Sequence, residues 1–361
     1  MSFDFVIGQQ RPKKIIQHAL QQNRVPHAYL FQGPIGVGKE ALALELTKAL
    51  YCTSSREKPC DTCSACQRIS QLQHPDVLYV FPSSGDNFDE RKTVMQSVAA
   101  DPYARKKPWA APLITIEMIR EIRHKSNIKP VEGKLVVIIA EADQMNIQAA
   151  NALLKILEEP PTFMHLILTA SQPNAMLPTI LSRCQEIRLG PIKDTDIEKA
   201  LMERKHIDPE KATLFAKASQ GSYGRALEWL NENFTGLRNE AVDFLRVSLR
   251  NPRSQMEEVE SIIKKHDKGT IKKMLSLLLL WYRDSMMVST MSDASNSNGT
   301  IVNADVMDTL RNFNSAFQFI NYNYIFENIE RSISMIERNI QINLILIVLF
   351  NKLRQAMELK D

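Results

Sequence analysis

The stretch Gly33-Pro34-Ile35-Gly36-Val37-Gly38-Lys39-Glu40 lies between a short apolar run, Ala28-Tyr29-Leu30-Phe31, and a helix-like one, Ala41-Leu42-Ala43-Leu44-Glu45-Leu46. A strand that turns through glycines into a helix is the pattern of a phosphate-binding loop. In such a loop the backbone N–H groups around Gly33, Gly36 and Gly38 surround phosphates, and Lys39 reaches the outer ones. The last position should carry Ser or Thr, whose hydroxyl ligates Mg²⁺, and here it is Glu40. An anion about 4 Å from a phosphate repels it by roughly 4 kcal/mol at an effective dielectric of about 20, an upper bound that a metal ion or a rotated side chain would relieve. The expectation is therefore a P-loop fold with ATP or ADP bound weakly or not at all. Lys39 either keeps a residual nucleotide site or is a solvated lysine at a helix start.

A chain of 361 residues with 44% hydrophobic content fills two or three cores. Its net charge of +4 argues neither for nor against nucleic acid. The apolar runs Leu275–Tyr282 and Leu344–Phe350 fall short of the ~20 residues a membrane span needs, and nothing at the start reads as a signal peptide. A reduced, cytoplasmic protein without a membrane partner is expected, which makes a cysteine cluster a metal candidate before a disulfide candidate.

Up to residue 189, short β-rich runs alternate with helical segments, as in a parallel sheet covered on both faces. The strand candidates are Ala28–Gln32, Val77–Phe81, Leu135–Ala140 and Leu166–Ala170. Helices follow the glycine loop and recur at Ile116–Lys125 and Ile147–Glu159, where Ala149, Ala150, Leu153, Leu154 and Leu157 make one apolar face ended by Pro160-Pro161. From about Gly190 the strand signals stop, and the rest reads as helices: Lys193–Arg204, Pro209–Ala218, Tyr223–Asn231 and a larger helical unit from about Thr235. That unit is broken by the Ser/Asn-rich stretch Ser289–Asn303, expected as a mobile loop. Ser83–Pro112, with Gly85, several prolines and the basic run Arg105-Lys106-Lys107, fits neither pattern and reads as a solvated insertion or a partner contact.

Cys52, Cys60, Cys63 and Cys66 have the spacing C-x₇-C-x₂-C-x₂-C. Four thiolates so close suit a closed tetrahedral Zn²⁺ site, which has no open position for substrate and is structural. Reduced buried thiols and an iron–sulfur cluster are the alternatives. Cys184 stands apart.

A P-loop ATPase also needs acids at the end of a neighbouring strand to hold Mg²⁺ and activate water. The run Leu135–Ile139 leads instead into Ala140-Glu141-Ala142-Asp143, where Ala142 occupies the water-activating position and can move no proton. Glu40 and Ala142 together argue against independent ATPase activity. Further on come Asn151-Ala152-Leu153-Leu154-Lys155-Ile156-Leu157-Glu158-Glu159-Pro160-Pro161 and Leu181-Ser182-Arg183-Cys184. With Gly8-Gln9, His27–Phe31 and the four cysteines, these motifs resemble the bacterial clamp-loader subunits of DNA polymerase III, members of the AAA+ class, over about residues 3 to 230.

The resemblance implies an AAA+ P-loop α/β domain over 1–189 with a zinc module at 52–66, a helical lid over 190–234 and a helical collar domain over 235–361. It implies a role in DNA replication within a hetero-oligomer that contains motor subunits (gamma or tau) and a delta subunit and loads a sliding clamp on primed DNA. Within the family this chain is most similar to delta-prime subunits. It lacks the P-loop Thr and the Asp-Glu pair of the motor subunits, and Gly224 stands where they carry a sensor Arg in Gly-Ser-Leu-Arg, with Arg225 displaced by one residue and so turned by about 100°. Arg183, in Ser-Arg-Cys, matches the arginine finger given to a neighbour's ATP site. A planar, permanently charged donor of that kind stabilises a transferring phosphoryl group, whereas without the family match an Arg there reads as a surface ion pair. Ser182 braces its turn and Cys184 packs beneath it. An active motor subunit or a helicase loader is the alternative reading. The lysines Lys264-Lys265, Lys268 and Lys272-Lys273 form either a DNA-facing surface or, with Glu257, Glu258 and Glu260, a solvated helix pair.

Overall fold

Residues 3–55, 58–84, 88–105, 108–109, 112–230, 233–290, 301–317, 319–338 and 340–357 are described in the computed structural model of the chain. They divide into two compact units, Met1–Glu228 and Trp229–Asp361.

The first unit is built on a five-stranded sheet of β1 (Ala28–Gln32), β2 (Val77–Val80), β3 (Leu135–Ile139), β4 (Met164–Ala170) and β5 (Gln185–Arg188), paired in the order β2-β3-β4-β1-β5. All four pairings are parallel, with Ala28 opposite Leu166, Leu135 opposite Met164 and Tyr29 opposite Gln185. β1 and β3 are buried at every position, which is why they read as continuous apolar runs. β5 is different. It is an edge strand in which only Ile187 is buried, so its sequence carries no apolar signal, and it extends the strand-forming region past the four expected runs.

In chain order the helices of this unit are α1 (Gln10–Gln21), α2 (Lys39–Tyr51), α3 (Ser64–Ser70), α4 (Phe88–Ala100), α5 (Ile116–Ser126), α6 (Ile147–Glu158) and α7 (Pro178–Leu181), then α8 (Asp194–Lys205), α9 (Pro209–Ala218) and α10 (Tyr223–Leu230). α2 is buried almost throughout. α6 starts on Asn146, whose side chain accepts the Ala149 N–H, and lays Ala149, Ala150, Leu153, Ile156 and Leu157 against the core shared with β1, β3, β4 and α5. Parallel pairing of β1 and β3 with β4 places their carboxyl ends together at one edge of the sheet, where open α/β folds carry their ligand sites.

The segment Ser83–Pro112 is not a solvated insertion. Its ends are pinned by an antiparallel bridge in which Ser83 and Leu113 exchange both backbone hydrogen bonds. Between them α4 buries Val94 and Val98, and Trp109 stacks on Phe81 at 6.0 Å. Gly85, Lys106 and Lys107 lie outside the described residues.

The second unit contains α11 (Phe234–Ser248), α12 (Pro252–Lys265), α13 (Lys268–Thr290), α14 (Met307–Ala316), α15 (Tyr322–Glu337) and α16 (Ile342–Met357). Phe244 of α11 and Phe350 of α16 stack at 4.1 Å in its core. The two apolar runs noted above supply that core through Leu275, Leu278, Trp281, Leu346 and Leu349, while Ile340, Leu344 and Val348 remain exposed. Most of the Ser289–Asn303 stretch, residues 291–300, lies outside the described residues. Its far end is held by Asp284, a buried carboxylate that accepts from the N–H groups of Val302 and Asn303 and from the Asn303 amide. Lys264 pairs with Glu260 and Lys265 with Glu240, so both lysines have acidic neighbours within the unit. Among the described residues no helix is long and apolar enough to cross a membrane.

Candidate functional site

The glycine loop leaves the carboxyl end of β1 with Gly33, Gly36 and Gly38 all at positive φ, Gly36 at 77° and Gly38 at 99°, as a tight phosphate-type turn requires. The rest of the site departs from nucleotide chemistry. Lys39 is buried, and its Nζ donates to the Gly33 and Pro34 carbonyls at 2.7 Å each and to Ser171 Oγ at 3.0 Å. Its charge is engaged by the loop's own backbone, so the solvated reading of Lys39 does not hold.

Glu40, the misplaced acid, is met by a cation from the segment expected to be solvent. Arg105 Nη1 lies 3.1 Å from Glu40 Oε1, an ion pair without hydrogen-bond alignment, and Nη2 lies 2.6 Å from Glu141 Oε1. The Tyr79 hydroxyl of β2 donates to the other oxygen of Glu40. Burial alone would push the Arg105 guanidinium toward neutrality, but Glu40, Tyr79 and Glu141 outweigh it and hold its pKa above the ordinary arginine range. Burial, reinforced by the Glu40 charge, raises Tyr79 well above its ordinary value and keeps it a donor.

Glu141 adopts a left-handed conformation at φ 51°, its N–H donating to Thr169 Oγ1. Ala142 is buried, and Asp143 Oδ2 accepts from the Ser171 and Gln172 N–H groups at 3.1 and 2.8 Å. Of the two acids at this strand end, one is paired with Arg105 and the other braces the turn after β4.

Above the loop lies Tyr103. A Cβ added at Gly38 would meet its hydroxyl at 2.6 Å, and that hydroxyl accepts the Ile7 N–H at 2.9 Å. Its ring packs edge-on against Tyr223 of α10 at 5.1 Å. Gly224 donates its N–H to the Gly36 carbonyl at 3.2 Å, and a Cβ there would sit 2.8 Å from the Tyr103 carbonyl and 3.0 Å from Gly36 Cα. No side chain fits at position 224. Arg225 is engaged by Gln220 at 3.1 Å. Divalent metal and phosphate do not fit this arrangement, because a guanidinium lies between the two candidate carboxylates, the lysine is turned back on the loop and an aromatic ring covers Gly38. Tyr79, Tyr103 and Arg105 belong to no motif, and the one signal for them was an acid at position 40 that needed a cation.

Arg183 lies just after α7, at the opposite flank of β4 and β1 from β2. Its Nη1 donates to the Thr179 carbonyl and its Nη2 to Glu158 Oε1, both at 3.0 Å. Ser182 Oγ donates to the same Thr179 carbonyl at 3.2 Å. Cys184 packs on the sheet core, and burial pushes its thiol up to about 12.

The four cysteines form a separate cluster whose sulfurs all lie within 4.8 Å of one another. Tetrahedral Zn–S bonds of about 2.3 Å put sulfurs roughly 3.8 Å apart, so the set fits with a small contraction. Cys52 ends α2, Cys63 precedes α3 and Cys66 lies within it. The Thr62 hydroxyl and the Cys63 N–H both donate to Cys60 Sγ, and this bonding draws its thiol down to about 6, while burial pushes Cys66 up to about 12. Beside the cluster Arg68 pairs with Glu132, and His74 Nε2 lies 3.1 Å from the same carboxylate, tying α3 to the turn before β3.

Sheet order, glycine loop and strand-end acids together define a P-loop α/β domain. The sequence model of the family described as "DNA polymerase III, delta subunit" matches residues 8–193, and the chain belongs to this family, with the clamp-loader subunits of the delta-prime and gamma/tau type. The delta-prime subunit of Bacillus subtilis (strain 168) is 34% identical over 208 residues, 58% of this chain and 55% of that protein. The tau subunit of the same organism is 32% identical over 244 residues, 65% of this chain and 38% of that protein. A delta-prime subunit of Pseudomonas aeruginosa is 34% identical over 160 residues, 44% of this chain and 41% of that protein. The matched part is therefore about half or less of each relative.

Proposed function

We propose that this chain is the delta-prime-type, non-motor subunit of a DNA polymerase III clamp loader. It acts in replication by helping to load a sliding clamp on primed DNA, in a hetero-oligomer with gamma/tau motor subunits and a delta subunit. The observation that carries this reading is the contrast between a cleft filled by Tyr103 and Arg105 and an Arg183 that keeps an exposed face. A chain so built turns over no ATP of its own. Arg183, with Ser182 bracing its turn, is the finger supplied to a neighbouring subunit's ATP site. α8–α10 form the AAA+ lid, and the helices from α11 onward form the collar, for which the exposed stripe Ile340, Leu344 and Val348 offers apolar area.

Cys52, Cys60, Cys63 and Cys66 hold a structural Zn²⁺. Elemental analysis of the native protein should find about one zinc per chain, lost with the fold of residues 52–70 on chelation; no zinc would reject the site. The function itself is tested by assembling the purified chain with motor and delta subunits and measuring clamp loading. A monomer that ignores those partners contradicts the proposal. The tau relative favours a second reading, an active motor subunit, which predicts ATP turnover by the isolated chain.

A further inference from the structure

The segment that fills the cleft is itself a built element. Asp101-Pro102-Tyr103-Ala104 is a turn closed on itself: the Tyr103 N–H donates to Asp101 Oδ1 at 3.1 Å and the Ala104 N–H to the Asp101 carbonyl at 2.9 Å. Asp101 Oδ2 pairs with Lys205 at the end of α8 at 2.9 Å. From this turn Tyr103 reaches Ile7, Gly38, Tyr223 and Gly224, and Arg105 reaches Glu40 and Glu141. One short segment thus touches Ile7 ahead of α1, the glycine loop, the strand end after β3, and α8 and α10. Two of these contacts fall where ligand is held in a working P-loop site: the ring covers the loop at Gly38, and the guanidinium supplies positive charge between the loop's last residue and the strand-end acid, where a metal ion is otherwise required.

We infer that residues 101–105 are an internal plug, with Tyr103 and Arg105 taking the place of nucleotide and divalent cation and locking the lid onto the glycine loop. The inference rests on the reading of residues 33–40 as a nucleotide-type loop. It adds that the lid position of this subunit is set by its own side chains and is indifferent to nucleotide concentration. Lid geometry in a motor subunit changes with its ligand, whereas here the ligand's contacts are covalently part of the chain and present at all times.

Hydrogen exchange and nucleotide titration on the full chain test this together. In the wild type, amides of residues 33–40 and 222–228 should exchange slowly and at the same rate with or without Mg-ATP or Mg-ADP. In Arg105→Ala and Tyr103→Ala they should exchange faster by at least about tenfold, because local opening no longer breaks the plug contacts. Should either variant fail to fold, Lys205→Ala loosens the turn from α8 at the surface and is expected to raise exchange in 222–228 to a smaller degree. Wild-type binding of Mg-ATP or Mg-ADP tighter than about 1 mM would overturn the plug, since the cleft would then admit its ligand. So would folded variants with unchanged exchange. The triple variant Glu40→Thr, Tyr103→Ala, Arg105→Ala separates the lock from the nucleotide-type loop. Faster exchange with nucleotide bound supports both, and faster exchange without binding supports the lock while removing the nucleotide reading of the loop.

Discussion

The side chain of Arg105 is 6% exposed and lies between two carboxylates, whereas that of Arg183 is 36% exposed and meets one, Glu158, which is itself 49% exposed. The same guanidinium is spent internally at one end of the sheet and left available at the other. An ion pair as open as Arg183–Glu158 contributes at most about 1 kcal/mol to stability. Breaking a buried pair such as Arg105 with Glu40 and Glu141 costs about 3–5 kcal/mol, because the carboxylates remain without their cation. Stability and activity should therefore separate cleanly between the two residues.

The largest expected effect is on activity. On the role proposed for it, Arg183→Ala should lower turnover at a neighbouring subunit's ATP site by roughly 10³-fold, the lower end of what a finger in trans contributes. Its melting temperature should stay close to wild type. The measurement is the DNA-stimulated ATPase of the reconstituted complex, and an unchanged rate removes Arg183 from the mechanism. Arg105→Ala inverts the pattern: about 3–5 kcal/mol of stability lost in denaturant unfolding, with the ATPase per assembled complex retained. Glu40→Thr in that background should recover part of the loss by removing one of two facing anions. A double-mutant cycle with no coupling between positions 40 and 105 would show that the pair is incidental.

Position 224 bears on the same contrast from α10. Restoring the motor-type side chain with Gly224→Arg drives a Cβ to within 2.8 Å of the Tyr103 carbonyl, and should destabilise the chain by roughly 2–3 kcal/mol, the upper part of the overpacking range. A thermal melt is sufficient to check it. An unchanged melting temperature would mean that the lid does not close on the loop as described.

The legibility of these features in the sequence follows their chemistry. β1, β3 and most of β4 are buried on both faces and announce themselves as apolar runs, and α6 does so through its three-and-four spacing. β5 is an edge strand of Gln185-Glu186-Ile187-Arg188 with one buried residue, so no hydrophobic period marks it. α4 was obscured because it buries only Val94 and Val98 and is flanked by Gly and Pro. Arg183 stands out in the sequence because Ser182 and Cys184 flank it in a short motif, and its proposed role rests on that motif. Tyr103 and Arg105 do not, since their partners Gly38, Glu40, Glu141 and Gly224 are brought to them only by the tertiary fold.

Lys39 is the third cation of the comparison and gives the smallest effect. In a motor subunit the P-loop lysine faces phosphate, and its removal ends turnover. Here Nζ is bound to Gly33, Pro34 and Ser171, so Lys39→Ala removes hydrogen bonds that hold the loop to itself and to the end of β4. Pro34 is exposed and Gly33 half-buried, so water replaces Nζ at their carbonyls and limits the loss to about 1–2 kcal/mol. ATPase of the reconstituted complex should not change, because this lysine lies in the cleft engaged by Tyr103 and Arg105, and the proposed role assigns turnover to a neighbouring subunit's site. ATP hydrolysis by the isolated chain that vanishes in Lys39→Ala would reverse the comparison: the buried cation would be the catalytic one, and Arg183 a surface ion pair.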